Sequence, residues 1–135
     1  MTVQLSGIGH VGIRVSALEP ALAFYGLLGF RRVAGPFPGE PVVVLDHPAG
    51  MELNLIVNAA ERPTDNVLMD VPAKHAGITH VALAVARLDD AMAALEAAGI
   101  PLSGGPVTFP NGARSIFVRD PDRTVIELTQ APTAD

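Results

Sequence analysis

Two histidines and two glutamates form the chemistry-bearing pattern of this sequence. His10 stands in Gly7-Ile8-Gly9-His10-Val11 and His80 in Gly77-Ile78-Thr79-His80-Val81, a shift of 70 residues (10 to 80). Glu52, in Gly50-Met51-Glu52-Leu53, resembles Glu127, in Val125-Ile126-Glu127-Leu128, at a shift of 75 (52 to 127). A half-buried carboxylate without a partner is costly and tends to become protonated, and a divalent cation compensates it best. Two imidazoles with two carboxylates make a borderline-to-hard donor set suited to Zn, Ni, Co, Mn or Fe(II). Two further positions held by water would leave such an ion open to substrate. Cysteine is absent, which excludes thiolate ligation and disulfides. A lone strand histidine is more often hydrogen-bonded in a core or at a surface, and a lone strand glutamate usually faces solvent. Recurrence at matched places in two units turns the balance toward ligation by His10, Glu52, His80 and Glu127. An ancestral site that has lost its metal, and simple solvent-facing positions, stay open as alternatives.

The elements that must position these groups also repeat. From the histidines the match runs without a gap for about two dozen positions, with Val15 on Val85, Leu18 on Leu88, Ala21 on Ala91 and Gly29 on Gly99. Residues 8–15 and 78–85 are rich in Ile and Val and read as strands. Ser16 with Glu19 reads as a capping box, and Leu18, Leu22, Tyr25 and Leu28 then recur at helical spacing until Gly29. Leu88, Met92 and Leu95 form the same stripe before Gly99. Strands are expected at about 30–34, 42–46 and 51–57, then at 102–107, 114–119 and 124–130, which gives the order βαβββ twice. Strand alternation sends Val11, Ile13 and Val15 to the apolar side and His10, Gly12 and Arg14 to the other. It likewise sets Leu53, Leu55, Ile126 and Leu128 inward and both glutamates outward. The modules are expected at about 7–57 and 77–131, joined by a Pro-interrupted connection at about 58–76 within one domain of residues 1–135. Each half is too small for an ample core of its own, so the halves should share one.

Weaker candidates surround this pattern. Arg14 follows His10 by four residues on the same face, so it reaches about 13 Å along the strand and is a candidate for an anionic part of a ligand; exposure alone explains it equally well. His47, in a turn, and His75, in the connection, read as solvated loop residues. Asp120-Pro121-Asp122-Arg123 reads as a tight turn into the last strand, and Asn111-Gly112 as a hairpin turn. With 49% hydrophobic and 17% charged residues the chain should fold, and nine basic against fourteen acidic side chains offer no footprint for nucleic acid or anionic lipid. No basic n-region opens the chain and no apolar run approaches the length of a membrane span, so a soluble, cytoplasmic protein is expected.

The paired Gly-Ile-x-His-Val openings, the Phe24-Tyr25-x-x-x-Gly29-Phe30 helix end, and Phe117-Val118-Arg119-Asp120-Pro121-Asp122 followed by Ile126-Glu127-Leu128 resemble the vicinal oxygen chelate superfamily, the glyoxalase, bleomycin-resistance and extradiol dioxygenase group. The resemblance covers nearly the whole chain. It implies an α+β fold of two tandem βαβββ modules forming an open, barrel-like mixed β-sheet with helices outside. Ligands at both first and both last strands look like lactoylglutathione lyase and methylmalonyl-CoA epimerase. By that likeness the protein would be a divalent-metal-dependent lyase or isomerase acting on a small oxygen-chelating substrate through an enediolate-like intermediate. Glu127 would be the base and Glu52 its partner for proton return. Arg14 matches the arginine that holds a glutathione carboxylate in the lyases. Leu53-Asn54-Leu55-Ile56-Val57 lacks the Asn-Trp-Gly expected after the ligand, and Ala76 stands where a second anion-binding arginine would be, so a substrate other than glutathione is implied. The competing expectations are an Fe(II)-dependent ring-cleaving dioxygenase and a metal-free drug-binding or resistance protein; a homodimer is common among such relatives.

Overall fold

The computed structural model describes residues 1–61 and 65–133. The elements run β1 (Val11–Arg14), α1 (Leu18–Leu27), β2 (Arg31–Ala34), β3 (Val42–Asp46) and β4 (Glu52–Ile56). They continue as β5 (His80–Ala84), α2 (Leu88–Ala97), β6 (Gly104–Thr108), β7 (Arg114–Arg119) and β8 (Val125–Gln130). The expected order βαβββ is therefore present twice, with the opening strands shorter than 8–15 and 78–85. The chain forms two compact units, Met1–Arg62 and Pro63–Asp135. The expected connection at 58–76 spans their boundary, and its residues 62–64 lie outside the described residues, as do 134 and 135 at the end of the chain.

In the first unit the sheet order is β1-β4-β3-β2, with β1 parallel to β4 and the remaining pairs antiparallel. The sheet is mixed and open, with β1 and β2 at its edges. Alternation sets its faces as expected: Ile13, Val15, Val43, Leu45, Leu53 and Leu55 are buried. Helix α1 buries Ala21, Phe24 and Tyr25, which recur at spacings of three and one, while the expected stripe residues Leu18, Leu22 and Leu28 are half-buried at its flanks. Its N-cap position is Ala17, one residue past Ser16, and Pro20 is tolerated because it falls in the first turn. At the other end the Gly29 N–H donates to Gly26 O at 3.0 Å and the Phe30 N–H to Tyr25 O at 3.1 Å, a Schellman closure that requires the positive φ of Gly29, 96°.

The second unit repeats this plan, with order β5-β8-β7-β6 and a parallel β5–β8 pair. Leu88, Leu95, Ile116, Val118, Val125, Ile126 and Leu128 are buried, and Gly99 closes α2 as Gly29 closes α1, with Ile100 N–H to Leu95 O at 2.9 Å. The expected Asn111-Gly112 turn joins β6 to β7 through Gly112 N–H to Phe109 O at 2.8 Å.

Sheet register corrects the sequence alignment of the last strands. Val11 pairs with Leu53 in β1–β4, and Val81 pairs with Ile126 in β5–β8, so the last strands correspond at a shift of 73 (53 to 126), not 75. The antiparallel pairs agree, since Val44 faces Asn54 where Phe117 faces Glu127. The preceding turns agree as well. Gly50 N–H donates to His47 O and Arg123 N–H to Asp120 O, both at 2.9 Å, and Gly50 and Arg123 both take positive φ, 90° and 69°. Glu127 thus corresponds in position to Asn54, while Glu52 corresponds to Val125.

Candidate functional site

Each unit brings one histidine and one glutamate together on the side of its sheet opposite the aliphatic core. His80 opens β5, and its Nε2 lies 3.1 Å from Glu127 Oε1 on β8, the strand paired parallel to it. The other carboxylate oxygen, Oε2, accepts the Ser115 hydroxyl at 2.8 Å, and Ser115 is fully buried on β7. Both oxygens of Glu127 therefore have a fixed partner. The His80 Nδ1 meets the Thr79 hydroxyl at 2.9 Å, and the Phe117 ring stands edge-on to the imidazole at 6.3 Å. Ala82 lies beside His80 on the same face of β5.

The first unit is built from the same strands with different groups. His10 sits just ahead of β1, its Nδ1 3.5 Å from Glu52 Oε2. Asn54, two residues along β4, shares the outward face with Glu52. In the amide orientation that satisfies both of its ends, Asn54 accepts from His10 Nε2 at 3.1 Å and donates to Glu52 Oε2 at 3.3 Å. The His10 Nε2 contact to Asn54 thus matches the His80 Nε2 contact to Glu127 in register and in length. Asn54 was missed in the sequence because Glu-Leu matches Glu-Leu at the wrong shift; the aligned prolines of the two turns, Pro48 and Pro121, carry the correct one.

These donors suit a divalent cation. Imidazole nitrogen and carboxylate oxygen both bind such ions at about 2.0–2.2 Å, so two adjacent ligands at a right angle lie roughly 3 Å apart. The Nε2–Oε1 separation in the second unit is 3.1 Å. Within either unit, the described residues gather no group of three or more candidate ligands, so each unit offers a pair.

Arg14 and His47 have local partners, and His75 is exposed. Arg14 is exposed on β1, with its Nε–H donating to Asn58 Oδ1 at 3.0 Å. His47 is no free loop residue: its Nδ1 accepts the Ala49 N–H at 3.0 Å, which leaves Nε2–H to donate to Leu28 O at 3.0 Å, and its ring meets Phe30 edge-on. It ties the β3–β4 turn to the end of α1. The turn at 120–123 forms as expected, with Asp120 Oδ1 accepting the N–H groups of Asp122 and Thr124. A clasp that the sequence did not reveal lies beside it. Asp70 takes both terminal nitrogens of Arg119, at 2.8 and 2.7 Å, and Arg123 Nη2 at 3.2 Å. Hydrogen bonding to the Arg119 guanidinium, above all, holds the Asp70 carboxyl well below the usual carboxylate range.

The family model of the Glyoxalase/Bleomycin resistance protein/Dioxygenase superfamily matches residues 7–128, and the chain belongs to this superfamily. Among solved structures it resembles a glyoxalase/dioxygenase from Nostoc punctiforme, with 22% identity, a TM-score of 0.77, and coverage of 98% of this chain and 99% of that one. A glyoxalase family protein from Enterococcus faecalis aligns at 25% identity and TM-score 0.74 over 92% of this chain and 97% of that one. The genomically encoded fosfomycin resistance protein FosX from Listeria monocytogenes aligns at 17% identity and TM-score 0.69 over 95% of both chains. A comparison with curated proteins returns no significant match. The superfamily includes enzymes, and its two-module fold is the one seen here. Among the described residues no helix is long and apolar enough to cross a membrane.

Proposed function

We propose that the protein is a divalent-metal-dependent lyase or isomerase of the glyoxalase type, acting on a small substrate with two neighbouring oxygens. The observation that carries this reading is the Glu127 carboxylate, held between His80 Nε2 and the buried Ser115 hydroxyl. Such a carboxylate is positioned to take a proton, and its partners limit the orientations it must lose in doing so. The cation would be held by His10, His80 and Glu127, with an oxygen from the β4 face that carries Glu52 and Asn54. When bound, the ion supplies Lewis acidity for negative charge developing on substrate oxygens.

In this reading Glu127 removes the proton from a hydroxyl-bearing carbon next to a carbonyl and the electron pair moves to the carbonyl oxygen, giving an enediolate. A proton is then delivered to the former carbonyl carbon, while the hydroxyl of the first carbon passes its proton to the second oxygen and becomes the new carbonyl. Glu52 is the candidate for that delivery, and Arg14 the candidate for an anionic group of the substrate. A screen of hemithioacetals, α-hydroxy-ketones and acyl-CoA thioesters with the Ni, Co and Zn forms tests the reaction. Glu127→Gln should lower turnover on the active substrate by roughly 10²–10⁴-fold. Retention of both metal and full turnover would refute the assignment.

A second reading is favoured by the register. With Asn54 at the position of Glu127, the corresponding positions carry two histidines and one carboxylate, the set that suits Fe(II) oxygenases. Strict dependence on Fe(II) and dioxygen would support it, and anaerobic turnover with Ni, Co or Zn would exclude it.

A further inference from the structure

Resting on the reading of Glu127 above, we propose that Phe117 determines substrate specificity at this carboxylate, and that the substrate carries a flat, unsaturated group, aryl rather than alkyl, on the carbon that loses its proton. Phe117 faces Glu127 directly across the antiparallel β7–β8 pair, so the two side chains leave the same face of the sheet at neighbouring positions. On the other side of Glu127 the parallel β5–β8 pair places Ala82. The carboxylate is thus flanked by a methyl group on β5 and a phenyl ring on β7. That ring is half-buried, and it stands edge-on to the His80 imidazole, with 6.3 Å between centroids and 70° between planes.

The edge strand beside Phe117 makes room for the ring. Gly104 pairs with Phe117 in β6–β7, and a Cβ at Gly104 would lie 3.2 Å from Phe117 Cδ2, tighter than an ordinary van der Waals contact. In the first unit the corresponding pair is Ala34 with Val44, and Val44 faces Asn54. Two small aliphatic side chains there stand where the second unit has one ring and no side chain. The aromatic surface therefore accompanies the carboxylate that Ser115 anchors, and it gives that carboxylate a neighbour that can tell substrates apart. Aromatic groups gain from edge-to-face or offset contact in addition to the burial of their surface, whereas an alkyl group gains from burial alone.

Titration of the full chain, supplemented with Zn(II), with mandelate and with lactate tests this by NMR. The two probes share one set of neighbouring oxygens and differ in phenyl against methyl. Mandelate should bind about threefold or more tighter than lactate, with nuclear Overhauser contacts between its ring and Phe117. Phe117→Leu should bring the two affinities to within about twofold, and Phe117→Tyr, which keeps the ring, should keep the preference. Equal affinities in the unsubstituted chain, or a mandelate preference that survives Phe117→Leu, would overturn the inference and leave the reading of Glu127 standing. If Phe117→Leu does not fold, the Overhauser contacts of the unsubstituted chain decide, and their absence overturns it. Binding of neither probe would remove the substrate-site reading and this inference together.

Discussion

The two units carry one scaffold and two chemistries. Their strands agree in order and register, and their helices end in the same glycine closure. The outward faces beside the histidines differ. In the second unit the Glu127 side chain is 14% exposed and is anchored by Ser115, whereas in the first the Glu52 side chain is 42% exposed and stands one strand repeat away from the corresponding position. The position of Ser115 is taken in the first unit by Val42, which has no hydroxyl to offer (42 to 115, the same shift of 73). The second unit is therefore built to hold a carboxylate still, and the first to hold an imidazole. Duplication fixes the apolar side tightly because packing penalises change there. The polar side differs between the two units.

The comparison breaks most visibly if the scaffolds are not equivalent. Leu55 and Leu128 occupy corresponding positions and are buried to 0% and 3% exposure. Leucine-to-alanine at either should cost about 2–5 kcal/mol, read by denaturant unfolding. A loss at only one of the two would show that the shared register does not translate into shared packing. Ser115→Ala sharpens the difference between the polar faces. Removal of its hydroxyl should lower metal affinity or turnover by roughly 10–100-fold, as loss of a partner behind a ligand does, with little change in unfolding midpoint. Val42→Ala, at the corresponding place, should leave metal affinity unchanged.

The smallest expected effect concerns the Asp70 clasp, which belongs to the second unit alone. In the first, the position of Arg119 is held by Asp46, whose carboxylate takes Arg31 Nε at 2.9 Å. Because the folded-state pKa of Asp70 is depressed, its stabilising contribution is complete above the ordinary carboxylate value of about 3.9 and is lost as pH falls through the folded value. Asp70→Asn should therefore lower the thermal midpoint modestly at neutral pH, and the gap to the unsubstituted protein should narrow below about pH 4. A gap that widened on acidification would contradict this sign.

Much of the architecture was legible in the residues themselves. Ile and Val runs, the Leu88-Met92-Leu95 stripe and the two stopping glycines each report a local physical preference, and the structure agrees with them. Alternation placed both histidines and both glutamates on the outward faces, whereas the pairing of each histidine with a glutamate of its own module comes from the structure. The register of β4 was misread from the Glu-Leu match, because it is set by the turn before it, where the shared proline alone marks the correct shift. That turn needs a left-handed residue, supplied by Gly50 in one unit and Arg123 in the other, and residue type does not reveal that these correspond. The Arg123 conformation is held by tertiary partners: its carbonyl accepts from Asn66 Nδ2 and Arg119 Nη1, both at 3.0 Å. Asp70 and Asn66 lie in the aperiodic connection, where no pattern announces a role. His47 read as a solvated turn residue because its partners, Leu28 O and Phe30, are distant in sequence.

The proposed function requires that His10 and His80 both serve metal binding. Metal content per chain, measured on protein purified without chelator or affinity metal and then titrated with Co(II), tests this directly. The account predicts one ion per chain, lost or strongly weakened in His10→Ala and in His80→Ala alike. Two independent ions per chain with each substitution removing only one, or an affinity indifferent to both histidines, would contradict it.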